Sequence, residues 1–289
     1  MNTKSTTMVK FLVVLLIGIT LSFLFGACDD GGSGGGGCDG GSSGGTGAYT
    51  LDQKYSALGG YPATSTKITD FTLYHPQTMG QGGQKHPILT WGNGTGMATS
   101  NYDALLMHLA SWGFVVVATD STMTLSGEEM LAGVDYLISE NSNSLSAFYN
   151  KLDVNAVAAI GHSQGGWGVM NAAKGSNRIK CTVPIQPGPG RPEGVTQPMF
   201  LIGGTDDHIV NVDLIVRPIF NNATCPVLMG VLDGATHFET TAPGGGRMRS
   251  YITAFLLTFL NNDQTARGAF YGGCEICNNT NWEVTKKNW

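Results

Sequence analysis

Ser163 stands in Gly161-His162-Ser163-Gln164-Gly165, where the apolar run 156–160 stops and a helix-like segment over 167–173 begins. Strand, tight turn and helix in that order are the setting in which a G-x-S-x-G serine serves as a nucleophile. The turn must be sharp enough that its flanks nearly touch. Gly161 and Gly165 lack the Cβ that would prevent this, and Gly166 lets the helix pack close to the strand. The Ser163 hydroxyl is then held at a helix N-terminus, where partial positive charge favours a developing anion. The alternative is a glycine-rich turn with an incidental serine.

A serine hydroxyl attacks a carbonyl only with a base to take its proton and a carboxylate to orient that base. In this architecture the chain order is Ser, acid, His. Two loops at strand ends qualify. One is Gly204-Thr205-Asp206-Asp207-His208, after the apolar stretch 199–203; the other is Asp233-Gly234-Ala235-Thr236-His237, after 227–232. Of six histidines, His75, His86 and His108 precede the serine, His162 adjoins it, and His208 follows the acid loop, which leaves His237 as the base. The residues alone leave the acid open between Asp206 and Asp207, with Asp233 a weaker third. An oxyanion would be held by two backbone N–H groups, that of Gln164 and one from Gly92-Asn93-Gly94, each contributing about 3 kcal/mol in the transition state. That loop lacks the lysine and Ser/Thr of a phosphate-cradling P-loop.

The elements needed to position these groups are legible as an alternation. Residues 68–74 read as an edge strand and 86–91 as a buried strand, followed by a helix over 101–112 and a doubly buried strand over 114–119. Ser126-Gly127-Glu128-Glu129 reads as a capping box ahead of Met130, Leu131, Val134, Leu137 and Ile138 at helical spacing. Beyond the elbow come strands at 181–186, 199–203 and 227–232, a helix near 210–220 and a final amphipathic helix over 248–260. Strands alternating with helices predict an α/β fold with a mostly parallel central sheet and helices on both faces.

These residues resemble the α/β-hydrolase superfamily, and within it the bacterial cutinase-like, PET-hydrolase and dienelactone-hydrolase-related esterases. The resemblance runs from about residue 68 to 260. Its carriers are Trp91-Gly92-Asn93-Gly94, the segment 109–116, the elbow, Gly204-Thr205-Asp206-Asp207-His208-Ile209-Val210 and Gly234-Ala235-Thr236-His237. It implies a serine carboxylic-ester hydrolase working through an acyl-enzyme on short-to-medium acyl esters or polyesters. The family's acid lies two residues before the Ile, which favours Asp207, and the oxyanion donors fall at Asn93 and Gln164. No metal or organic cofactor is implied. The chain departs from the family at Gln186-Pro187-Gly188-Pro189-Gly190, where a tryptophan is usual, at Asn93, where an aromatic is usual, and in having no cysteines in the acid and histidine loops. Trp91 and Trp167 are candidates for lining an acyl or aryl pocket, with core packing as the alternative. The competing functions are another acyl hydrolase, such as a thioesterase or amidase-like enzyme, and a non-catalytic surface lipoprotein binding module.

The 289-residue chain has a formal net charge of -5 and only 13% charged residues, which excludes the basic face that a nucleic-acid partner needs. Lys4 and Lys10, an apolar run over 11–25 and Gly26-Ala27 ahead of Cys28 read as an export signal spanning 1–27. Leu24-Phe25-Gly26-Ala27-Cys28 also resembles a lipobox, which would make Cys28 a lipidated N-terminus and the membrane a partner through that anchor alone. A fully secreted enzyme is the other reading. Residues 28–47 form a linker, with eleven glycines between 31 and 47. The catalytic domain is expected over 48–289. Cys274 and Cys277 suggest a local disulfide pinning the C-terminal tail. The pairing of Cys38, Cys181 and Cys225 is open.

Overall fold

The computed structural model describes residues 50–289. The export signal, Cys28, the linker and Cys38 lie outside the described residues. Nine strands form one sheet in the order β1-β2-β4-β3-β5-β6-β7-β8-β9. The strands are β1 (Ala63–Lys67), β2 (Phe71–Pro76), β3 (His86–Gly92), β4 (Val115–Thr119), β5 (Leu152–His162), β6 (Ile179–Ile185), β7 (Met199–Gly204), β8 (Val227–Leu232) and β9 (Trp282–Lys287). From β4 through β8 every neighbouring pair is parallel, while β1, β2 and β9 join antiparallel.

The central strands are apolar on both faces because each face meets its own layer of helices. In β4, Val116 and Ala118 face one core and Val115 and Val117 the other; in β5, Ala158 and Ile160 oppose Val157 and Ala159. The first core holds α2 (Asp103–Ser111) and α6 (Arg249–Leu260). The second holds α3 (Glu128–Ser142), α4 (Gln164–Gly175) and α5 (Arg217–Asn222). A short helix, α1 (Leu51–Ser56), packs on α6, as does α7 (Gln264–Arg267).

Four details differ from the reading of the sequence. The edge strand is β1, and the stretch assigned there is β2, one place inward. Helix α3 is not started by a capping box: Gly127 is the N-cap in a left-handed backbone, and the Ser126 hydroxyl accepts from Glu128 N–H while donating to the Glu129 carboxylate. Helix α6 is not amphipathic. Ten of its twelve residues are buried, because the C-terminal segment wraps its outer side. There Tyr251, Phe255, Phe270, Trp282 and Trp289 pack ring against ring. Finally, β9 seals the far edge of the sheet. Within that segment a disulfide joins Cys274 to Cys277 at the start of α8 (Glu275–Asn278), whereas Cys181 and Cys225 are buried with no disulfide partner among the described residues.

Strand β3 lies between β4 and β5, so the chain leaves it in one direction and returns on its other side. In an open parallel sheet that switch point opens a crevice beyond the carboxyl ends of the strands. The loop holding Asn93 and the turn holding Ser163 both emerge there.

Candidate active site

Ser163 is the N-cap of α4 and carries φ 56° and ψ -117°, a sparsely populated backbone conformation for a residue with a side chain. Its neighbours make the conformation possible. A Cβ on Gly165 would lie 2.0 Å from the Gly92 carbonyl oxygen, and one on Gly161 would lie 2.6 Å from the Gly165 backbone. No other residue type fits at either place. A Cβ on Gly166 would lie 2.9 Å from Pro187 and 3.2 Å from Gly161 O in the strand. The turn is fixed from β6 as well: Ser163 N–H donates to Ile185 O at 3.0 Å, and Gly188 N–H donates to Ser163 O at 2.9 Å.

Asp207 and His237 meet. His237 Nδ1–H donates to Asp207 Oδ2 at 2.7 Å, and both side chains are buried. The other oxygen, Oδ1, accepts from Ile209 N–H at 2.9 Å and Val210 N–H at 2.7 Å, which fixes the carboxylate plane. Asp206, next in the chain, is exposed, and so is His208. Asp233 Oδ1 takes a hydrogen bond from the Thr205 hydroxyl at the surface. Asp206 N–H donates to Ala235 O at 3.1 Å, so the acid and histidine loops lie backbone to backbone. Gly204 permits this approach, since a Cβ there would stand 2.3 Å from Ala235 O. The segment after His237 is held by Arg247, whose guanidinium pairs with Glu239 and donates to Asp233 O at 3.0 Å.

The His237 ring packs on His162, with centroids 4.6 Å apart, which brings it beside the residue preceding Ser163. The Ser163 hydroxyl and His237 share no hydrogen bond in this structure; in serine nucleophile–base pairs that bond commonly tightens only with substrate in place. His162 is part of the scaffold. Tyr102 O–H donates to its Nδ1 at 2.9 Å, and its Nε2–H donates to His237 O at 2.8 Å. Gly94 N–H in turn donates to Tyr102 at 3.2 Å. Burial, reinforced by the charge of a protonated His237, pushes the His162 pKa well below its ordinary value, so the ring is neutral and serves as a fixed spacer.

The side chains of Gln164 and Asn93 are held by hydrogen bonds to neighbouring loops. Asn93 is fully buried. Its Oδ1 accepts from the Trp91 indole at 2.9 Å, and its Nδ2 donates to Thr119 O, Thr99 Oγ1 and Ser121 O. Gln164 Oε1 accepts from Thr124 N–H at 2.8 Å, and Gln164 Nε2 reaches Thr95. Among the described residues neither backbone N–H, that of Asn93 or of Gln164, has an acceptor.

The two tryptophans part company. Trp91, a candidate for lining the pocket, is fully buried against Tyr102 at 4.8 Å and supports the Asn93 loop from beneath. The strand that carries it alternates faces, and position 91 points into the core. Trp167 is half-buried on the first turn of α4, against the loop of Gly188 and Gly190. Reading the sequence missed three contributors: Tyr102, Arg247 and Gln186. The only signal for Gln186 was a polar residue ending an apolar strand.

The chain resembles known proteins throughout this region. Residues 67–286 match the family described as PETase, PET hydrolase-like. The chain belongs to the PET hydrolase-like family. Among curated relatives of this PET hydrolase-like chain, "Cutinase est2" of Thermobifida alba is 31% identical over 165 residues, 54% of each chain. "Cutinase cut1" of Thermobifida fusca is 32% identical over 165 residues, 54% of this chain and 50% of the relative. "Bis(hydroxyethyl) terephthalate hydrolase" of Streptomyces coelicolor is 27% identical over 213 residues, covering 69% of this chain and 66% of the relative. The PET hydrolase-like chain thus spans about half the length of the cutinases it matches.

Proposed function

We propose that this protein is a serine carboxylic-ester hydrolase of esters with apolar acyl or aryl groups, polyesters among them. The observation that carries the reading is the buried Asp207–His237 pair set beside a serine whose strained turn Gly161 and Gly165 permit. In this reading His237 Nε2 takes the Ser163 proton as Oγ attacks the ester carbonyl. Asp207 keeps the Nδ1–H tautomer and steadies the imidazolium. The free N–H groups of Asn93 and Gln164 receive the oxyanion. The imidazolium then protonates the leaving alcohol, and water repeats the sequence to release the acid.

Substrate class follows from the rim and from the relatives' names. Phe238, next to His237, is 45% exposed, and Met123, whose sulfur touches Gln164, is 49% exposed. Large apolar side chains left in water beside a site mark a surface for apolar ligands. With Trp167 they suit aryl or alkyl acyl groups, and the names of the cutinases and the terephthalate hydrolase point the same way. Hydrolysis of p-nitrophenyl butyrate and of a polyester film should fall by about 10⁴-fold or more in Ser163→Ala. Equal rates for the two proteins contradict the proposal.

The amino-terminal residues extend it to location. We infer export with a lipid on Cys28 and the glycine-rich linker as a tether. No helix among the described residues is long and apolar enough to cross a membrane. Palmitate labelling lost in Cys28→Ala supports the anchor, and an unlabelled wild type contradicts it.

A further inference from the structure

Gln186 follows the last residue of β6 and is fully buried. Its backbone is left-handed, with φ 43°, a conformation that disfavours any side-chain-bearing residue. One amide nitrogen serves two loops: Nε2 donates to Asp207 Oδ2 at 2.8 Å and to Thr236 O at 2.8 Å. The Asp207 oxygen it reaches is the same one that accepts from His237 Nδ1, and Thr236 is the residue before His237. Both partners are acceptors, which fixes the orientation of the amide. Its own Oε1 is buried without a partner. The backbone around it ties in the nucleophile too. Gln186 N–H donates to Ile202 O in β7, Ile185 O holds Ser163 N–H, and Gly188 N–H holds Ser163 O.

A strained backbone and an orphaned carbonyl are both costs, and such costs persist in folded proteins chiefly where a site requires them. An apolar residue here would spare the orphan but leave Asp207 Oδ2 with His237 as its only donor. It would also remove the bridge by which β6 holds the acid and histidine loops together. We propose that Gln186 is a positioning residue, holding the Asp207–His237 pair in register with Ser163 through one amide shared between the two loops. The inference rests on the esterase reading above and adds to it a residue that touches neither substrate nor the reacting atoms.

Its effect on the base has a sign. A donor on Asp207 Oδ2 draws charge from the oxygen that faces the imidazolium. Removing that donor leaves the carboxylate more basic, favours protonated His237 and moves the acid limb of the pH–rate profile to higher pH. Gln186→Met keeps the length and removes the donor, and Gln186→Glu keeps the shape and adds a charge. With rates expressed per fluorophosphonate-titrated site, Q186M should lower kcat about 10- to 100-fold, as loss of alignment does, with KM within about twofold. Its acid limb should move up by about half a pH unit, and that of Q186E should move further up. A residue that served folding alone would lower the number of titratable sites and leave kcat per site and the acid limb unmoved; that result overturns the proposal. If Q186M yields no folded protein, the same two readings on Q186E decide it. Wild-type turnover indifferent to Ser163→Ala overturns the esterase reading and this one together. Serine-dependent turnover with Q186M unchanged per site overturns this one alone.

Discussion

The carboxyl ends of the parallel strands and the C-terminal wrap around α6 are built on opposite principles. At the strand ends, backbone meets backbone through Gly161, Gly165 and Gly204, Ser163 and Gln186 hold positive φ, and short hydrogen bonds join Gln186, Asp207 and His237. Around α6, five aromatic residues pack ring on ring, and polar links such as Tyr251 to Glu275 and Asn279 lie at their margin. Area removed from water is forgiving of direction, whereas hydrogen bonds and backbone strain are not. The first region therefore sets where a few atoms lie, and the second supplies the free energy that keeps them there.

Mutations should separate the two. The largest effect belongs to the polar end. Asp207→Ala should lower kcat about 10⁴-fold, equivalent to roughly 5 kcal/mol, while Asp206→Ala changes it less than about threefold. Steady-state kinetics on both variants checks this, and the reverse ranking moves the acid to Asp206. Next comes the aromatic end. Phe255 is fully buried against Phe200, Phe259, Phe270 and Trp289. Phe255→Ala should cost about 3–5 kcal/mol of stability and leave turnover per titrated serine within about twofold. A melting curve with an active-site titration reads both; a large fall in turnover per site would erase the division of labour.

A smaller effect tests how the two regions join. His108 sits between α2 and α6, where its Nε2 lies 3.1 Å from the Thr253 hydroxyl. Burial, with help from the positive charge of Arg249, lowers its pKa from 6.5 to about 4. The folded state holds this ring neutral, so its contribution is complete above pH 6.5 and is lost as pH falls toward 4. The full loss is roughly 3 kcal/mol. Replacing it in His108→Gln should flatten the fall of Tm between pH 6.5 and 4. Part of the slope should remain, because His86 and His162 are shifted in the same direction. An unchanged slope contradicts the assignment.

How much of this could be read from the sequence follows the same division. The parallel strands were legible because burial on both faces writes an unbroken apolar run, as in 114–119. The elbow was legible because only glycine fits at 161 and 165. Strands β1 and β9 were not, since Ala-Thr-Ser-Thr-Lys carries no alternation and Trp-Glu-Val-Thr-Lys-Lys alternates over only four residues; antiparallel pairing with β2 and β8 recruits them. Helix α6 looked amphipathic because the segment that covers its outer face lies later in the chain. Among the acids, adjacency left Asp206 and Asp207 equal on the residues alone; the family resemblance favoured Asp207, and the turn buries Asp207 while exposing Asp206. Gln186 was visible only as a polar residue ending an apolar strand, because its partners lie 21 and 50 residues further along the chain.

The central claim is that the Ser163 hydroxyl is activated by a base brought from a distant loop. Reaction of the folded protein with a fluorophosphonate probe, followed by peptide mass mapping, tests it most directly. The account predicts one adduct, on Ser163, formed in the wild type and absent in Ser163→Ala. A folded wild type that stays unlabelled, or an adduct that persists in the variant, contradicts it.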